Sequence, residues 1–211
     1  MNRDCSKAAV IFAVLVLTAC SQAPQPSATE AKTGPETKEA AGPPVPVSAK
    51  TAFWEMYKLA HSWTTDILPL SLVSKEVPGV ENGDGKAGMW TATFVSPSRH
   101  EARVFSYSVV SVAPDVFKGV NANRPVPWSG PTRQAMPFRT ADFTVDSDAA
   151  YKTALAKAET WVKEHPGKKA SLSLGNAARF PAPVWYVLWG DNKSGYFALV
   201  NATTGNLVNG K

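Results

Sequence analysis

The sequence predicts an α+β fold in which a helix packs on an antiparallel sheet, and it predicts that plan twice. Three observations carry this reading. Segments 52–67 and 149–165 place apolar residues at helical spacing. Each is followed by two segments in which apolar and polar residues alternate, the pattern of a half-buried strand. Aromatic anchors also recur in one order: Trp63, Trp90 and Phe105, then Trp161, Trp185 and Phe197.

The chain opens with Arg3 and Lys7, then an uncharged apolar run over 8–19. Such a run rises only about 18 Å as a helix, too short for a hydrocarbon core of about 30 Å. A basic start, a short apolar core and small residues before a cut site form the layout of a signal peptide, here 1–19. Leu17-Thr18-Ala19-Cys20 resembles the lipobox of bacterial lipoproteins. That resemblance implies a diacylglycerol on the Cys20 thiol, cleavage before it, acylation of the new amine with palmitate-like chains, and a membrane contact made through those chains. Ser21, where an Asp would favour inner-membrane retention, implies sorting to the outer membrane, facing the periplasm. Cys5 leaves with the signal, so the mature chain keeps no thiol for a disulfide, metal or nucleophile.

Residues 20–50 are rich in Pro, Ala, Ser and Thr, carry balanced charge and lack any aromatic ring. Such a stretch cannot offset its chain entropy by burial and reads as a flexible tether. The folded part is then expected over 51–211, which holds all seven tryptophans. It divides into a first unit at 51–111, a Pro-rich connection at 112–145 and a second unit at 146–211. The whole chain carries +5. The basic residues are scattered, which argues against a nucleic-acid partner.

In the first helix Phe53, Tyr57, Ala60, Trp63 and Ile67 share a stripe. In the second, Ala150, Ala154, Ala158, Trp161 and Val162 do, behind the capping cluster Asp146-Ser147-Asp148 and ahead of the stop Pro166-Gly167. Trp63 and Trp161 are expected to be buried between helix and sheet. The strands are expected over 88–95 and 102–110, then over 183–189 and 195–201. Aligning Phe105 with Phe197 sets Trp185, Val187, Trp189, Phe197 and Leu199 against the helix. It leaves Tyr186, Leu188, Ala198 and Val200 on the opposite face. Strands apolar on both sides are normally covered on both sides. That second face is therefore a candidate binding face, to be covered by segment 112–143, by the first unit or by a partner.

The second unit resembles the PepSY domain. The likeness lies in Asp146-Ser147-Asp148-Ala149-Ala150, in Val184-Trp185-Tyr186-Val187, and in the strand and turn Tyr196 to Val208, which contains Asn201-Ala202-Thr203-Thr204-Gly205. Gly205 can supply the positive φ of a tight turn. The family often has Asp where this chain has Asn201. The resemblance implies a cystatin-like helix-on-sheet fold, export, and an inhibitory or regulatory role toward a peptidase. It brings no catalytic residue.

Chemistry-bearing motifs are sparse. His61, His100 and His165 fall in three different elements without metal-ligand spacing, so no metal or cofactor is expected. Ser96, Ser98 and His100 in SPSRHE read as a polar hairpin loop. Gly83-Asp84-Gly85 reads as a turn. Segment 112–143 carries Arg124, Trp128, Arg133 and Arg139. Arginine and tryptophan are enriched at binding hot spots, and a connection of this length is uncommon unless functional. The plainer alternative is that Trp128 and Phe138 pack onto the core. Two function classes remain: a non-catalytic binding or inhibitory module with an envelope protein or peptide partner, or a periplasmic enzyme with dispersed acidic residues. Oligomeric state has no sequence signal.

Overall fold

Two capping residues start the two helices. Ser48 accepts a hydrogen bond from the Thr51 amide, and α1 runs Ala49–Trp63. Asp146 accepts from the Ser147 amide, and α2 runs Ser147–Glu164. A computed structural model describes residues 42–209. The signal segment, Cys20 and most of the expected tether lie outside the described residues. The last residues of that tether belong to the fold: Val47 exchanges two 3.0 Å main-chain hydrogen bonds with Ala87, and Ala49 and Lys50 are already helical. The folded unit therefore starts before residue 51.

The strands are β1 (Leu68–Lys75), β2 (Met89–Ser96), β3 (Glu101–Ser108), β4 (Gly119–Ala122), β5 (Val126–Pro127), β6 (Ala170–Gly175), β7 (Val184–Trp189) and β8 (Tyr196–Asn201). They form one antiparallel sheet ordered β4-β3-β2-β1-β6-β7-β8, with β5 also on β3. The two expected units are thus halves of a single sheet, joined where β1 meets β6 at Leu72 and Leu174. The first half reaches beyond residue 111, because β4 and β5 lie in the segment expected to be a plain connection.

Both helices cover the same face. Phe53, Met56 and Ala60 of α1 and Ala150, Ala154 and Ala158 of α2 share one core with Trp90, Leu72, Leu174 and Trp185. The halves repeat in detail. Ala49 N–H donates to Ser147 Oγ at 2.8 Å, a residue 98 positions away and its own counterpart. The Trp90 indole N–H donates to the Val47 carbonyl at 3.0 Å, and the Trp185 indole to the equivalent Val145 carbonyl at 2.9 Å. The two rings meet edge to face across the seam, with centroids 6.3 Å apart.

Two sequence expectations are corrected by the packing. Trp63 and Trp161 are half-buried, while Trp90, Trp185 and Trp189 are the enclosed indoles. Trp63 and Trp161 sit in the last turns of the helices. Trp63 lies beside the Arg99 and Arg103 guanidinium groups, and Trp161 stacks on His165. The second correction is one of register. β2 pairs Ala92 with Phe105, and β7 pairs Val187 with Ala198. The counterpart of Phe105 is therefore Ala198, not Phe197. A slip of one residue exchanges the two faces of a strand.

Candidate binding face

The register correction rebuilds the candidate face. Ala198 and Val200, expected on it, lie instead in the helix-side core, fully enclosed. Phe197 and Leu199, expected against the helix, point the other way. Tyr186 and Leu188 keep their place. Tyr186 pairs with Leu199, and Leu188 with Phe197. The Tyr186 and Phe197 rings stack at 5.2 Å, and Phe197 is 50% exposed.

One row of this face can be followed through seven strands: Asn121, Ser106, Thr91, Val73, Ser173, Tyr186 and Leu199. Among the described residues no helix lies on it. The first half offers an amide, two hydroxyls and Val73 at the seam, whereas the second offers the Ser173 hydroxyl at the seam, then a phenol ring and Leu199. Coverage is partial: Leu199 and Leu188 are buried, Tyr186 is half-buried and Phe197 stands out.

A groove of about 400 Å³ opens at the seam. Its floor includes Val73, Ser173, Gly175, Tyr186 and Leu199; its wall includes Gln134, Ala135, Ala177, Arg179 and Phe180. Two main-chain hydrogen bonds bring the wall together: Met136 N–H donates to the Asn176 carbonyl at 3.0 Å, and Ala178 N–H to the Arg133 carbonyl at 2.9 Å. Arg133 and Arg179 are both exposed and share an adjoining surface hollow. The Arg179 guanidinium lies 4.6 Å from the centroid of the Phe180 ring. Asn176 lines the groove, and its Oδ1 is enclosed without a hydrogen-bond donor. Among the described residues lining the groove, Arg179 is the charged side chain and none is a carboxylate.

Segment 112–143 does not gather its candidate residues into one site. Arg124 follows β4, and the Trp128 amide binds the His100 carbonyl at the far hairpin. Arg133 reaches the seam, and Arg139 forms a two-pronged pair with Asp142 at 2.7 and 3.0 Å. That guanidinium holds the Asp142 carboxyl below its ordinary range. Phe138 is buried in the core, and Trp128 is half-buried.

The SPSRHE motif is a structural knot. Asp66 accepts hydrogen bonds from the Thr64 and Ser96 hydroxyls, both at 2.7 Å, and from the Ser98 amide at 2.8 Å. The Ser96 hydroxyl, then the Ser98 amide, then the Thr64 hydroxyl hold the Asp66 carboxyl far below the usual carboxylate range. His100 takes a left-handed backbone at the hairpin turn, with φ of 52°. The Ser96 hydroxyl thus donates to a carboxylate that two further donors already hold in the turn. Among the described residues no group of three or more His, Cys, Asp or Glu is placed to hold a metal. No helix among them is long and apolar enough to cross a membrane.

No protein-family model matches this sequence, and no curated protein matches it. Among solved structures, the crystal structure of a candidate lipoprotein from Clostridium difficile 630 is similar at 9% identity and a TM-score of 0.43, over 79% of this chain and 91% of that one.

Proposed function

We propose that this chain is an envelope lipoprotein, acylated at Cys20 and held at the outer membrane facing the periplasm. Its folded domain acts as a non-catalytic binding, inhibitory or regulatory module. One observation carries the second half of that reading. Among the described residues, the sheet face opposite the helices holds a groove lined by apolar and neutral polar groups, with one charged side chain and no carboxylate. Predominantly apolar walls with a few polar groups are the make-up of a recognition site, so the groove suits recognition. The PepSY-like stretch in the second half accords with an inhibitory role, and the lipobox-like Leu17-Thr18-Ala19-Cys20 with the anchor.

A photo-crosslinking residue at Tyr186, on the helix-free face, is expected to form a discrete adduct with an envelope protein in intact cells. The same residue at Ala156, on the outer side of α2, is expected to form none. Equal labelling from both positions, or none from Tyr186, would overturn the reading. For the anchor, Cys20→Ser should release the protein from membranes or leave its signal uncut, because stable attachment needs the acyl chains. Persistent palmitate labelling of that variant would remove Cys20 as the lipid site.

A further inference from the structure

We infer that the end of the domain at which the chain enters the fold rests on the bilayer that carries the acyl chains, with Phe117 and Val45 inserted into its interface. This rests on the Cys20 anchor and adds to it the orientation of the folded domain. Val47 pairs with Ala87 just ahead of β2, and the Val109 amide, just past β3, donates to the Gly88 carbonyl at 2.9 Å. The loop 109–118 therefore stands beside the entry point. Hydrogen bonds fix its shape. Val112 and Val116 exchange two at 2.8 and 3.0 Å, Lys118 N–H donates to Ser111 Oγ at 2.9 Å, and Asn121 Nδ2 donates to the Phe117 carbonyl at 2.8 Å. So held, Phe117 is 58% exposed, and Val45 in the entering segment is 69% exposed.

Exposure alone names no occupant, since Val126 is 53% exposed as well. Position separates them. Gly119 pairs with Ser108 and Val126 with Ala102, so Val126 lies six residues away along β3, or about 20 Å, toward the opposite end of the sheet. Gly42 follows Cys20 by 22 residues, and a coil of that length has an end-to-end distance of about 26 Å. The entry end therefore reaches the membrane surface on a relaxed tether. Val126 reaches it only if the tether also spans the length of the domain. The contact is apolar in kind. Asp115 offsets Lys118 within the loop, and Lys169 pairs with Glu81 at 3.2 Å. Such balanced charge gains little from anionic headgroups, whereas an aromatic ring next to a lysine suits the boundary between headgroups and acyl chains. The strands then stand upright on the membrane, and the helix-free face around Tyr186 stays open to the side.

With Cys5 lost in the signal and Cys20 acylated, one introduced cysteine can carry an environment-sensitive fluorophore. Phe117→Cys, Val45→Cys and Val126→Cys are labelled in the full lipoprotein and reconstituted into phosphatidylcholine nanodiscs that bear a nitroxide near the top of the acyl chain. Interfacial apolar groups sit about 5–10 Å deep, so quenching at positions 117 and 45 is expected to exceed that at 126 by at least about twofold, and to be unchanged by added salt. With the fluorophore at 45, Phe117→Asp should bring quenching down to the level seen at 126, and Val126→Asp should leave it as it was. Should Phe117→Cys fail to fold, the reading at position 45 decides. Equal quenching at all three positions overturns the inference, and so does quenching that needs anionic lipid or disappears in salt. A fluorophore at 117 that stays solvated in nanodiscs yet is shielded in native envelopes overturns it too, and assigns the surface to a protein. If the protein enters nanodiscs through an acylated Cys20 while 117 remains unquenched, the orientation is wrong and the anchor stands. If the wild-type protein takes up no palmitate, anchor and orientation fall together.

Discussion

Asp66 shows how one side chain can organise a turn. Its two oxygens take three hydrogen bonds from residues 64, 96 and 98, so the carboxylate ties the end of α1 to the β2–β3 turn. Those donors favour the charged form and depress the folded-state pKa. The unfolded chain binds this proton near pH 4, so the stabilisation is complete above about pH 4 and is lost as acid titrates the folded carboxylate. Asp66→Asn should lower the melting temperature at pH 7, and its deficit should shrink as the pH falls into the acid range. Thermal melts of both proteins between about pH 2 and pH 7 check this; a constant deficit across that range would mean that the charge plays no part.

Strand register decides what the second half presents to solvent. Phe197 and Val200 are three positions apart on β8 and lie on opposite faces, the first 50% exposed and the second fully enclosed. Phe197→Asp should fold with nearly the wild-type melting temperature and lose the Tyr186 adduct. Val200→Asp should fail to fold at physiological temperature, because an unpaired charge would be buried in the core. The opposite outcome would restore the register read from the aromatic spacing. The helices and the four strands with strong alternation were legible in the sequence, because cap residues and apolar periodicity act locally. The seam strands β1 and β6 were not. Leu68–Lys75 carries Pro69 and an irregular register between Pro69 and Ser71, Ala170–Gly175 is only six residues long, and their mutual pairing depends on contacts far apart in sequence. Matching Phe105 to Phe197 by ring type could not reveal the ladder offset. The groove was illegible for a similar reason: the segments around 133–136 and 176–180 lack periodicity and are brought together by two main-chain hydrogen bonds between residues far apart in sequence.

At the scale of the molecule, the two halves share one core. Phe53 of the first half and Trp185 of the second both contact Phe143, at ring separations of 5.3 and 5.8 Å. Trp185→Ala should cost about 3–5 kcal/mol. Phe53→Ala should lower the same single transition, so neither half melts first. Calorimetry that resolved two transitions in either variant would contradict a shared core. By the same reasoning residues 42–127 expressed alone should not fold, since α1 and β1 would lose the partners that complete their burial.

The near two-fold relation across the Trp90–Trp185 contact has a consequence for how such a protein can change. A symmetric homodimer must carry every substitution twice, once on each equivalent patch. With both copies in one polypeptide, that obligation ends. The half bearing Thr91 and Ser106 keeps a wettable sheet surface, while the half bearing Tyr186 and Leu199 carries a greasy one, and the groove lies along the line where they meet. A single chain thus lets one copy keep a hydrophilic face while the other gains an apolar one, a divergence closed to a pair of identical subunits.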